Sequence, residues 1–100
     1  MSTETSSAFN RFYDDFKVGS TIIHTNEKTI FESDNNLFCL LTMNNHPLHT
    51  NEKFAGKSQH GRILVVGTYV LSLVVGLSVS DISFRAIANL EYQNVKHLNP

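Results

Sequence analysis

The sequence predicts an α+β domain in which an antiparallel sheet wraps around one long apolar helix. Three observations carry that expectation. Residues 63–79 are apolar almost throughout, running from Ile63, Leu64, Val65 and Val66 to Leu77 and Val79. A helix built from them is apolar around most of its circumference and is stable only when something covers it. The flanking segments supply the covering material: residues 20–30 are rich in Thr and Ile, and residues 85–95 alternate in side-chain type, both marks of β-strands. The chain has 100 residues, 41% of them apolar, which allows one domain and excludes a disordered chain.

The elements follow in order. Residues 1–11 read as a flexible N-terminal tail and residues 12–100 as part of a single domain. The tail is small and polar, without the cationic start and apolar core of a signal peptide, so the expected location is cytoplasmic. Residues 12–19, FYDDFKVG, form a surface lead-in that ends in a turn at Gly19. A strand over 20–30 comes next. Ser33 followed by Asp34 is an N-cap pattern, and Leu37, Phe38, Leu40 and Leu41 fall on one face of the helix that it starts. That helix should end near Met43, because Asn44, Asn45, His46 and Pro47 are loop formers and Pro47 pushes His46 out of helical geometry. A short second helix begins at Thr50 or Asn51 and ends at Ala55. A polar loop over 56–61 leads to the long helix, expected from about Arg62 to Ser78.

Two strands cannot cover such a helix. The domain is therefore read as truncated after its second strand, with Pro100 at a turn into further β-structure. A membrane span is disfavoured. The apolar run falls short of the roughly 20 residues a crossing needs, Thr68, Ser72 and Ser78 interrupt it, and Arg62 and Asp81 bound it.

Composition excludes other roles. Net charge is −1 with no basic patch, which argues against a nucleic-acid partner. The single cysteine, Cys39, sits in an apolar run and reads as a buried, inert thiol. His46 and His49 are three residues apart, but no cysteine or carboxylate cluster joins them, so no metal site is expected.

Residues 38–55, FCLLTMNNHPLHTNEKFA, resemble the hydratase motif of the MaoC-like family of (R)-specific enoyl-CoA hydratases. Pro47, Leu48, His49 and Ala55 match it. Asn44 stands where the motif has its catalytic Asp, His46 where it has Asn, and Met43 where many members have Gly. The segment Gly61-Arg62-Ile63-Leu64-Val65-Val66-Gly67 is similar to the family's lead into its central helix, with Val66 replacing a His often found before that glycine. The resemblance implies the hot-dog fold, a sheet of antiparallel strands around one helix, as a homodimer or higher homo-oligomer. The branch it most resembles acts on small, carboxylate-bearing acyl-CoAs such as itaconyl- or mesaconyl-CoA.

The implied activity is reversible hydration of an enoyl-CoA thioester without a cofactor. A histidine suits the proton transfer, because its free pKa of about 6.5 lies near the operating pH. The expected catalytic residues are His49 as general base and acid, Asn44 orienting the water that an amide cannot deprotonate, and Gly67 offering a helix N-terminal N–H to the thioester oxygen. Arg62, His46 and Val66 are the expected substrate-binding residues, Arg62 for the CoA phosphates or an acyl carboxylate. Blander roles compete: a loop histidine, turn asparagines, a packing glycine. Two other functions stay open, a non-catalytic acyl-CoA-binding hot-dog subunit and a thioesterase, for which Glu52 is the nearest carboxylate in sequence.

Overall fold

A computed structural model describes residues 3–5 and 11–100. The chain divides into two units, one of Met1–Lys28 with Leu73–Val95, the other of Thr29–Ser72 with Lys96–Pro100. The expected tail over 1–11 lies largely outside the described residues.

In the first unit, β1 (Thr3–Thr5) pairs in parallel with β2 (Thr21–Ile23), Thr3 opposite Thr21 and Thr5 opposite Ile23. The expected strand over 20–30 is thus only three residues long. Past Ile23 no ladder continues, and His24 turns its ring to Asp81, with Nδ1 at 2.6 Å from Oδ2. Arg11 reaches the same carboxylate at 3.5 Å and the Asp81 backbone carbonyl at 3.0 Å. Asp81 itself lies in a π-helical turn, Val79–Ser83.

The second unit is helical. α1 spans Glu32–Thr42, α2 Pro47–Thr50, α3 Glu52–Gly56, and the first residues of α4 (Gly67–Ser78) belong here. α1 starts two residues earlier than Ser33 suggested. Asp34, not Ser33, satisfies the first turn, its carboxylate accepting from the Phe31 N–H at 3.0 Å. α1 ends where expected, with Met43 in the left-handed region at φ 59° and the Asn44 N–H returning to the Cys39 carbonyl. Proline at the first position of α2 costs nothing, since that N–H lacks a helical acceptor anyway. Asn51 caps α3 by accepting from the Phe54 N–H at 3.0 Å.

Three expectations are corrected here. First, α1 does not bury its leucine stripe. Leu37, Leu40 and Leu41 are exposed, whereas Asn35 and Cys39 are buried and the Phe38 ring stacks obliquely on Tyr69 at 5.3 Å. Asn35 dictates this rotation through its hydrogen bonds, described below. Second, α4 starts at Gly67 rather than Arg62. The N–H groups of Leu64 and Val66 are drawn sideways to other segments, at 3.2 and 3.0 Å, and so are lost to a helix. Third, the described residues contain a parallel pair of short strands and no antiparallel sheet around α4. Residues 85–95 form no strand and are exposed throughout. Alternation makes a segment able to pair, but a strand exists only where a neighbour takes its backbone groups. The α+β character stands, with helix dominant. Buried apolar side chains are Cys39, Ala55, Val66 and Tyr69. No described helix is long and apolar enough to cross a membrane.

Candidate active site

The cap on α2 sets up the site. His46, extended ahead of Pro47, accepts the Leu48 N–H on Nδ1 at 3.1 Å. That starts α2 and places His49 one turn later. His49 is half-buried, and its Nδ1 lies 2.8 Å from the Leu64 carbonyl. A carbonyl oxygen only accepts, so Nδ1 carries the proton and Nε2 of the neutral ring presents its lone pair.

Backbone bonds hold the two segments together. The Leu64 N–H donates to the Leu48 carbonyl at 3.2 Å. Asn35, reaching across from α1, completes the arrangement. Its Nδ2 donates to the His49 carbonyl at 3.0 Å, and its Oδ1 accepts the Val66 N–H at 3.0 Å. Val66 in turn accepts the Tyr69 and Val70 N–H groups and so opens α4. Gly67 is the first residue of that helix, so its N–H has no carbonyl one turn back to bond. The His97 ring lies against it: a Cβ on Gly67 would meet His97 Nε2 at 2.9 Å.

His49, Arg62, Leu64, Gly67, Val70 and His97 line one cleft of about 610 Å³. Three of the six expected site residues, His49, Gly67 and Arg62, therefore come together. Arg62 is exposed and makes no ion pair among the described residues, leaving its charge available to an anion. The other three do not line that cleft, although the His46 ring meets the His49 ring edge-on at 6.1 Å between centroids. Val66 is buried in the core and acts through its backbone. His46 is committed to its cap and sits edge-on to Phe54, ring centroids 6.0 Å apart. Asn44 is half-buried at the end of α1, where its Oδ1 accepts the His46 N–H at 3.3 Å. Glu52 lines a neighbouring cleft of about 460 Å³, with Asn35 and Arg62.

Sequence reasoning missed Asn35 and His97. Asn35 lies in an Asn-Asn pair on a helix, where a polar residue is expected to face water. The available signal was its spacing from Phe38 and Cys39, i, i+3 and i+4, which places it on the buried face. His97 carried no signal at all. Cys39 is buried as expected, and burial pushes its thiol above the usual value of 9.0. Among the described residues no three His, Cys, Asp or Glu side chains converge on a metal-sized space.

Comparison with known proteins identifies the family. The profile of the MaoC like domain family matches residues 15–100. The chain is 37% identical over 81 residues to a beta-methylmalyl-CoA dehydratase of Chloroflexus aurantiacus, covering 81% of this chain and 23% of that protein. It is 32% identical over 90 residues to a mesaconyl-CoA hydratase of Cereibacter sphaeroides, covering 90% of this chain and 26% of that protein. The chain thus spans about a quarter of the length of the curated relatives it matches. No solved structure matches it significantly.

Proposed function

Because the chain belongs to the MaoC like domain family, we propose that it contributes the proton-transfer site of a hydratase that adds water reversibly across the double bond of a small, carboxylate-bearing enoyl-CoA. The observation that carries this reading is the 2.8 Å contact from His49 Nδ1 to the Leu64 carbonyl, which leaves Nε2 as the basic nitrogen in a cleft shared with Gly67.

In the proposed step, Nε2 takes a proton from water as the water oxygen bonds to Cβ. The π pair moves to Cα and the thioester carbonyl, forming an enolate whose oxygen the Gly67 N–H stabilises. The imidazolium then returns its proton to Cα. Proton transfer by a positioned group is worth about 10²–10⁴-fold, and one donor to the developing oxyanion about 10²–10³-fold. Asn44 does not line this cleft and its Oδ1 accepts the His46 N–H, so its expected role in orienting the water rests on the family resemblance alone. Arg62 anchors phosphate or carboxylate. The hot-dog sheath around α4 and self-association through the exposed Leu37, Leu40 and Leu41 face belong to the same proposal, with the family membership as their support.

A second reading, acyl-CoA binding without turnover, is favoured by the amide at Asn44. Thioester hydrolysis has less support, since Glu52 lines the neighbouring cleft rather than that of His49.

The test is to incubate the whole protein with crotonyl-, mesaconyl- and itaconyl-CoA. Loss of enoyl absorbance is the expected result, reduced about 10²–10⁴-fold by His49→Ala. Release of free thiol instead would indicate a thioesterase. Saturable binding with neither change would indicate the non-catalytic subunit, and a large gain from Asn44→Asp would show that the amide is what limits it.

A further inference from the structure

We propose that Asn35 is a positioning residue for His49: its side-chain amide sets both the imidazole's tautomer and its place beside the first turn of α4. Only the catalytic consequence rests on the hydratase reading above.

Asn35 is 2% exposed and uses both ends of its amide on backbone that is distant in sequence. Nδ2 holds the His49 carbonyl and Oδ1 the Val66 N–H, each at 3.0 Å. The Leu64 N–H to Leu48 carbonyl bond and the His49 Nδ1 to Leu64 carbonyl bond close a ring through the same two segments. The ring therefore joins three things: where His49 sits, which of its nitrogens is protonated, and where α4 begins with Gly67. Asn35 is the one side chain from α1 among its links. Removing it leaves the Leu64–Leu48 backbone bond and the imidazole's own bond to the Leu64 carbonyl between the segments, with no anchor on the His49 backbone to keep the ring turned toward that carbonyl.

The chemistry requires an amide. A carboxylate can accept the Val66 N–H but cannot donate to the His49 carbonyl, and it would hold a negative oxygen against that carbonyl oxygen. A misplacement of about 1 Å at a reacting group costs about 10²-fold.

Long-range ¹⁵N–¹H correlation on the full chain reads the tautomer of each histidine directly. In the wild type, neutral His49 is expected as the pure Nδ1–H form and His46, whose Nδ1 accepts the Leu48 N–H, as the Nε2–H form. In Asn35→Ala and Asn35→Asp, His49 is expected to become a mixture while His46 is unchanged. The hydration assay should then show kcat falling about 10²-fold with KM nearly constant. Wild-type His49 in the Nε2–H form overturns the proposal whatever the variants do. So does an unaltered Nδ1–H signal in either variant with native backbone dispersion. Should wild-type protein hydrate none of the thioesters, the hydratase reading fails, and the tautomer measurement still decides the role of Asn35.

Discussion

Asn35 in one unit and Asp81 in the other are 2% and 1% exposed, and each is held by partners far away in sequence. Their electrostatics are opposite. Asn35 is neutral and bonds only to backbone dipoles. Asp81 is a carboxylate flanked by the guanidinium of Arg11 and the imidazole of His24. The nearby histidines differ accordingly: His24 bonds to a charge through Nδ1, whereas His49 bonds to a neutral carbonyl. A neutral keystone fixes geometry without adding charge beside a proton-transfer group. A charged keystone is tied to its counter-ions and to their ionisation.

The comparison can be broken at either keystone. The largest effect is expected from Asp81→Ala, which removes the buried carboxylate facing both the Arg11 guanidinium and the His24 ring and should cost about 3–5 kcal/mol of unfolding free energy in urea titrations. Asn35→Leu, which keeps the branching at Cγ, leaves the Val66 N–H and the His49 carbonyl without the side-chain amide and should cost about 2–3 kcal/mol. A smaller loss at Asp81 than at Asn35 would overturn the contrast between charged and neutral cores. A third effect belongs to Cys39. Its folded pKa is raised, so above pH 9.0 the unfolded thiol loses its proton before the folded one does. The stability it contributes is intact below 9.0 and declines as pH rises toward the folded value, by at most about 1.4 kcal/mol per pH unit. Cys39→Ala should flatten that decline, and an unchanged slope would assign it to other groups. The smallest effect, a gain of about 1 kcal/mol in the same titrations, is expected from Met43→Gly. That change relieves a left-handed backbone at a side chain that is 80% exposed and loses no packing.

The legible parts of the site were those written in local chemistry. Pro47 after His46 marked the turn and Asn51 marked the cap, whereas the start of α4 at Gly67 was misplaced to Arg62. Asn35 was not legible, because nothing local says that an asparagine's two ends will find backbone partners 14 and 31 residues away. The leucine stripe of α1 misled for the same reason: periodicity gives a helix an apolar face but does not say which face a neighbour will cover. The strand expected at 85–95 failed on the partner side, since alternation is a property of one segment and a ladder is a property of two.

The sequence by itself determined the helix boundaries near Met43 and Asn51, the apolar character of α4, the buried thiol and the resemblance that pointed to His49. Tertiary structure alone decided which carbonyl the His49 Nδ1 faces, that Asn35 turns inward, and which residues share the His49 cleft. Capping and propensity act over a few residues, whereas a tautomer or a buried hydrogen bond is set by atoms that the chain brings together from a distance.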